Sequence, residues 1–120
     1  MPKRDELLAL ERGFWTGDDE YFKENSDSSV LVAFPQMSGV MGRKDLAETA
    51  KNPNRWQSLE MEIKGILEPQ DGLVVLTYEA KAVRESGEPY SALISTGYLK
   101  RGDGWKMIFH SQTPLDAGKD

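Results

Sequence analysis

The chain opens on a helical pattern. Leu7, Leu10 and Phe14 share one stripe, with Leu8 and Trp15 beside it. Pro2 or Asp5 starts this helix, Asp5 and Glu6 suit its positive end, and Gly17 stops it. Gly13 inside the helix costs about 1 kcal/mol of propensity against Ala, which fits a second element approaching closely there. A short second helix starts at Asp18 or Asp19 and contributes Tyr21 and Phe22 to the interior. After a polar break over 25–29, Val30-Leu31-Val32-Ala33-Phe34 is a continuous apolar run closed by Pro35, which predicts a strand. Gly39 and Gly42 flank Val40 and Met41, as in a tight hairpin or bulged turn. A third helix follows over 43–51, burying Leu46, Ala47 and Ala50, and Asn52-Pro53-Asn54 ends it.

From Trp56 the period changes to two. Strands are expected over 56–68, 72–85, 89–101 and 105–113, joined by short glycine-containing connections. Gly65 and Gly97 are candidate bends, since long strands usually turn at bulges. This order of elements predicts an α+β domain, with three helices packed on one face of a strongly curved, mostly antiparallel sheet. One domain would fill residues 1–115, with a frayed tail over 116–120.

Alternation sorts the side chains of these strands. Leu59, Met61 and Ile63 share a face, as do Val74, Leu76, Tyr78, Ala80 and Ala82. In the last strand Trp105, Met107, Phe109 and Ser111 oppose Lys106, Ile108, His110 and Gln112. The strand over 90–99 alternates poorly and could be buried on both sides. The face opposite the helices is then assigned Thr77, Ile94, Thr96, Tyr98, Ile108 and His110. An apolar centre with a polar rim is the form of a subunit interface, so a homodimer through this face is expected. The alternative is an ordinary amphipathic sheet face with scattered exposed apolar residues.

Composition removes most other chemistry. There is no cysteine and one histidine, His110, among 120 residues. Disulfides, thiolate nucleophiles, Fe–S clusters and Cys-based zinc sites are excluded, as are paired-histidine motifs. Neither metal nor cofactor is expected. Lys and Arg total 15 against 20 Asp and Glu, a net charge of −5, which argues against nucleic acid and anionic membrane as partners. No apolar run approaches the ~20 residues of a membrane span. The N-terminus lacks the apolar core of a signal peptide, so a cytoplasmic location is expected. Asp18, Asp19 and Glu20 fit a helix N-terminus better than a metal site. Glu60 and Glu62 belong to a polar strand face, and Ser91, Ser95 and Ser111 lack partners for a triad. His110 titrates near neutrality, as acid–base work requires. Strand parity turns it away from the apolar set, and a bulge before it would reverse that placement.

The run Val30-Leu31-Val32-Ala33-Phe34-Pro35 resembles the nuclear transport factor 2-like superfamily. So do Gly42-Arg43-Lys44-Asp45-Leu46 and the ending Gly104-Trp105-Lys106-Met107-Ile108-Phe109-His110-Ser111-Gln112-Thr113-Pro114-Leu115. The superfamily comprises small α+β cones and includes ketosteroid isomerase, SnoaL-like polyketide cyclases and scytalone dehydratase. The ending looks like the SnoaL-like branch known as domain of unknown function 4440. The resemblance implies a deep apolar pocket between helices and concave sheet, and commonly a dimer through the convex face. That pocket would be lined by Trp15, Phe34, Met41, Trp56, Met61, Tyr78, Phe109 and Ser111. Ketosteroid isomerase-like members carry a carboxylate base just before a proline at the end of the first strand. Phe34 stands there before Pro35, and Phe14 and Trp15 stand where a tyrosine would bind the oxyanion. The expectation is therefore a domain that binds a small hydrophobic or aromatic molecule. The alternatives are a cyclase-, isomerase- or dehydratase-type enzyme using Tyr78 or His110, and a non-catalytic dimerisation module.

Overall fold

The computed structural model describes residues 4–51, 56–102 and 104–115. The expected breaker at 52–54, the tail over 116–120 and a helix start at Pro2 lie outside them. Helix α1 (Arg4–Thr16) is followed by α2 (Asp19–Asn25), strands β1 (Ser26–Ala33) and β2 (Ser38–Gly42), and helix α3 (Arg43–Glu48). Four long strands follow: β3 (Trp56–Gln70), β4 (Leu73–Arg84), β5 (Pro89–Arg101) and β6 (Gly104–Pro114). They form one six-stranded sheet in the order β2-β1-β6-β5-β4-β3. Among the described residues only β1 and β6 run parallel; the other neighbours are antiparallel.

The α+β class and the long strands agree with the expectation from sequence, and the differences lie at the edges. The polar residues after Asn25 are not a break: β1 starts at Ser26, directly after α2, because Ser26 already pairs with Met107 of β6. The glycine-bearing segment after Pro35 is itself a strand, β2, which folds back on β1 with Val40 opposite Leu31. Helix α3 is shorter than expected, yet Leu46, Ala47 and Ala50 are buried.

Both glycine bends are present. The β3–β4 register shifts between Ile63 and Gly65, and the β5–β6 register shifts between Gly97 and Tyr98. The second shift corrects the strand faces. Gly97 pairs with Phe109 and Tyr98 with Met107, so Ile108 is the extra, bulged residue. One added residue inverts every later side chain. Met107 is buried towards the helices, Phe109 and Ser111 turn away, and His110 turns inward opposite Thr96. Strand β5 is corrected too. Ile94, Thr96 and Tyr98 pair with Tyr78, Leu76 and Val74, so they share the helix-facing side and are fully buried.

The core lies between that side and the helices, built on Leu7, Val30, Val32, Leu46, Leu76, Tyr78 and Ile94. The opposite face carries a registered row across all six strands: Val40, Leu31, Phe109, Gly97, Val75 and Leu67. Among the described residues no helix is long and apolar enough to cross a membrane.

Candidate functional site

The centre of the helix-facing side holds an acidic residue. Glu11 follows Leu7 by four positions and precedes Phe14 by three, so it sits within the apolar stripe of α1. It is 0% exposed. A buried carboxylate is costly unless hydrogen-bonded, and here three hydroxyls converge on it. Tyr78 Oη donates to Glu11 Oε1 at 2.6 Å and Thr96 Oγ1 donates to the same oxygen at 3.0 Å. Tyr98 Oη donates to Oε2. The carboxylate accepts in all three contacts.

Each donor is fixed in turn. Trp15 Nε1 donates to Tyr78 Oη at 2.9 Å, so Tyr78 has spent its proton on Glu11 and its oxygen on Trp15. Burial, reinforced by Glu11, holds the Tyr78 and Tyr98 hydroxyls well above the usual phenol range. Tyr21 lies above the next turn of α1, where burial and then Glu11 push its hydroxyl up to about 12. It donates to the Leu10 carbonyl at 2.8 Å.

His110 completes the group. Its Nδ1 lies 3.1 Å from Thr96 Oγ1. Which of the two donates is set by the imidazole tautomer. Burial lowers the affinity of His110 for a second proton, against the opposing pull of Glu11 and the Gln112 side chain. The Phe34 ring lies 5.6 Å from the imidazole.

Beside this network is a hollow of about 410 Å³ between helices and sheet. Its wall is aromatic, from Phe14, Trp15, Phe22, Phe34 and Trp56, with Met37, Leu46 and Met107. Its polar groups are His110, Gln112, Gln36 and Thr49. The last two are exposed and mark where it opens. Trp15 and Trp56 meet edge to face at 5.3 Å, and Trp56 Nε1 donates to the Trp15 carbonyl at 3.2 Å. Arg84 lies 5.2 Å over the Trp56 ring and 5.1 Å over that of Tyr90. Gln112 Nε2 donates to Tyr90 Oη at 2.9 Å.

Of the residues expected on this wall, Trp15, Phe34 and Trp56 are there. Met41 and Met61 pack on the core elsewhere, and Tyr78 is buried beneath. Phe109 and Ser111 stand on the opposite face, a consequence of the Ile108 bulge. Of those assigned to the far face, Thr77 remains there, its Oγ1 donating to the Ile94 carbonyl at 2.8 Å. Ile108 is the bulge itself, while Ile94, Thr96, Tyr98 and His110 lie on the helix side. The Glu11 cluster on that side was not among the residues expected from sequence. Its sequence signal was an acid inside a hydrophobic stripe. Among the described residues no three acidic or histidine side chains converge as a metal site requires.

No protein-family model matches the sequence, and no curated protein resembles it significantly. Solved structures do. A protein from Parabacteroides distasonis, provisionally described as a ketosteroid isomerase, superposes with a TM-score of 0.76 at 17% identity, over 96% of this chain and 89% of its own. A nuclear transport factor 2-like protein of unknown function from Prochlorococcus marinus gives 0.75 at 12% identity, over 98% of each chain. A ketosteroid isomerase-like protein from Erwinia carotovora atroseptica gives 0.73 at 13%, over 92% and 91%. The chain therefore has the nuclear transport factor 2-like fold. These likenesses do not single out the SnoaL-like branch.

Proposed function

We propose that this protein binds a small apolar or aromatic molecule in the hollow between helices and sheet. The supporting observation is a mostly aromatic wall with a few polar groups grouped on it, the usual make-up of small-ligand sites. Trp15 and Trp56 on that wall make binding visible as a change in intrinsic fluorescence. A bound probe at a hundred times its Kd stabilises the fold by about 2.7 kcal/mol. Thermal melts against naphthalene, indole and related aromatic probes are expected to rise with concentration. No shift across such a panel overturns the reading.

A second reading, proton transfer on a bound substrate, draws support from His110 on the wall with Glu11 behind it. Tyr78 does not serve it, because both its donor and its acceptor are engaged inside the core. The substrate would be an aromatic ketone with exchangeable α-protons. Deuterium incorporation into 2-tetralone, followed by proton NMR, tests this. Acceleration that disappears in His110→Gln supports it, and exchange at the buffer rate overturns it.

We also propose that a second copy of the chain covers the opposite sheet face. The support is the unbroken row from Val40 to Leu67, with Leu31 48%, Val40 72% and Leu67 60% exposed. Sedimentation equilibrium is expected to give twice the monomer mass, and a monomer at high micromolar concentration sinks the idea.

A further inference from the structure

We propose that the hollow selects neutral aromatic ligands bearing a hydroxyl, because Glu11, acting through Thr96, holds His110 with Nδ1 protonated and Nε2 as a hydrogen-bond acceptor. This rests on the binding reading above and names its ligand class. Glu11 accepts from three hydroxyls, of which Thr96 is one at 3.0 Å. Thr96 has one proton and gives it inward, so the 3.1 Å contact to His110 runs from Nδ1–H to Oγ1. The competing arrangement has Thr96 donating to Nδ1 and an Nε2–H directed at Gln112. It takes a donor from a fully buried carboxylate, the group that can least do without one.

The wall then offers a hydrogen-bond acceptor. A phenol or enol hydroxyl satisfies Nε2. A bare hydrocarbon leaves it with the Gln112 side chain alone, and a carboxylate meets a lone pair with Glu11 behind it. Glu11 and Thr96 are positioning residues: they act on the ligand only through His110.

The single histidine makes the test unambiguous. Nitrogen-15 NMR of the free protein above neutral pH is expected to show Nδ1 as the protonated nitrogen and Nε2 as the bare one. The reverse assignment overturns the inference. Naphthalene, 2-naphthol and 2-naphthoate are then titrated by fluorescence. Binding of 2-naphthol at least tenfold tighter than naphthalene is expected, with 2-naphthoate weakest. Thr96→Val is expected to bring the hydroxyl preference below threefold and mix the tautomers. Thr96→Ser restores both, and an unfolded valine variant leaves the wild-type comparison decisive. Equal affinity for naphthalene and 2-naphthol sinks this inference while leaving the binding reading intact. Failure of all three probes sinks both.

Discussion

Glu11 occupies a helix position that packing alone would give to leucine. Its environment replaces the lost hydration with three hydroxyls, so the residue and its partners form one unit. Glu11→Leu strands three buried donors at about 1–3 kcal/mol each before repacking. A loss of at least about 3 kcal/mol is expected in urea denaturation. Tyr98→Phe removes one donor and should cost about 1–2 kcal/mol. Hydroxyls that find other acceptors would show as a near-neutral Glu11→Leu. His110 adds a pH dependence. Burial puts its folded pKa below the ordinary 6.5, so the unfolded chain takes up the proton first as pH falls. The stabilisation it provides is whole above 6.5 and is lost as pH drops through the folded value. Glu11, across Thr96, opposes the shift. The Asp27–Arg101 pair, whose carboxyl is held below 3.8, loses its contribution only in stronger acid. Urea midpoints at pH 7.5 and 5.5 should differ less in His110→Gln than in wild type, and equal slopes would refute this. Glu11 was missed, although an acid between Leu7 and Phe14 on the apolar stripe is a readable signal. Its partners were not legible, because they depend on which strand residues face the helix.

Two local devices shape the elements around Glu11, and both involve glycine. A Cβ on Gly13 would stand 2.0 Å from Tyr21 Cζ, so the missing side chain is the space the tyrosine ring occupies. Gly13→Ala should gain helix propensity of about 1 kcal/mol yet lose more through overpacking, a net cost of about 1–2 kcal/mol. A rise in the urea midpoint would show the ring simply moving aside. The second device is the bulge at Ile108 beside Gly97. Strand existence, length and the positions of both bends were readable from period-two patterning and glycine placement. The face of β6 beyond Met107 was not, since one unpaired residue changes parity without changing composition. Strand β2 and the start of β1 were obscured for a related reason. β1 and β2 are held by pairing to neighbours distant in sequence or across a turn, which a polar segment such as Ser26 to Ser29 does not advertise.

At the scale of the molecule the helices cover one sheet face, and the proposed second copy would cover the other. Val75 sits in the apolar row, opposite Gly97 and Leu67. Val75→Lys places a charge where an interface of the usual size, about 800 Å² per partner, would be driest. It is expected to shift sedimentation to the monomer while leaving the urea midpoint of the monomer nearly unchanged. A dimer that survives the substitution would place the contact elsewhere.

The parallel pairing of β1 with β6 has a kinetic consequence. Strands β3 to β6 are sequential antiparallel neighbours and can zip together by closing short turns. The segment from α1 to β2 has no place on that sheet until β6 is in position, because β6 supplies the only edge it uses. That closure spans from Ser26 to Met107, a long loop whose entropy is lost before its contacts form. Folding should therefore be limited by this docking, with the meander ahead of it. During synthesis α1 and α2 wait for β6 to follow.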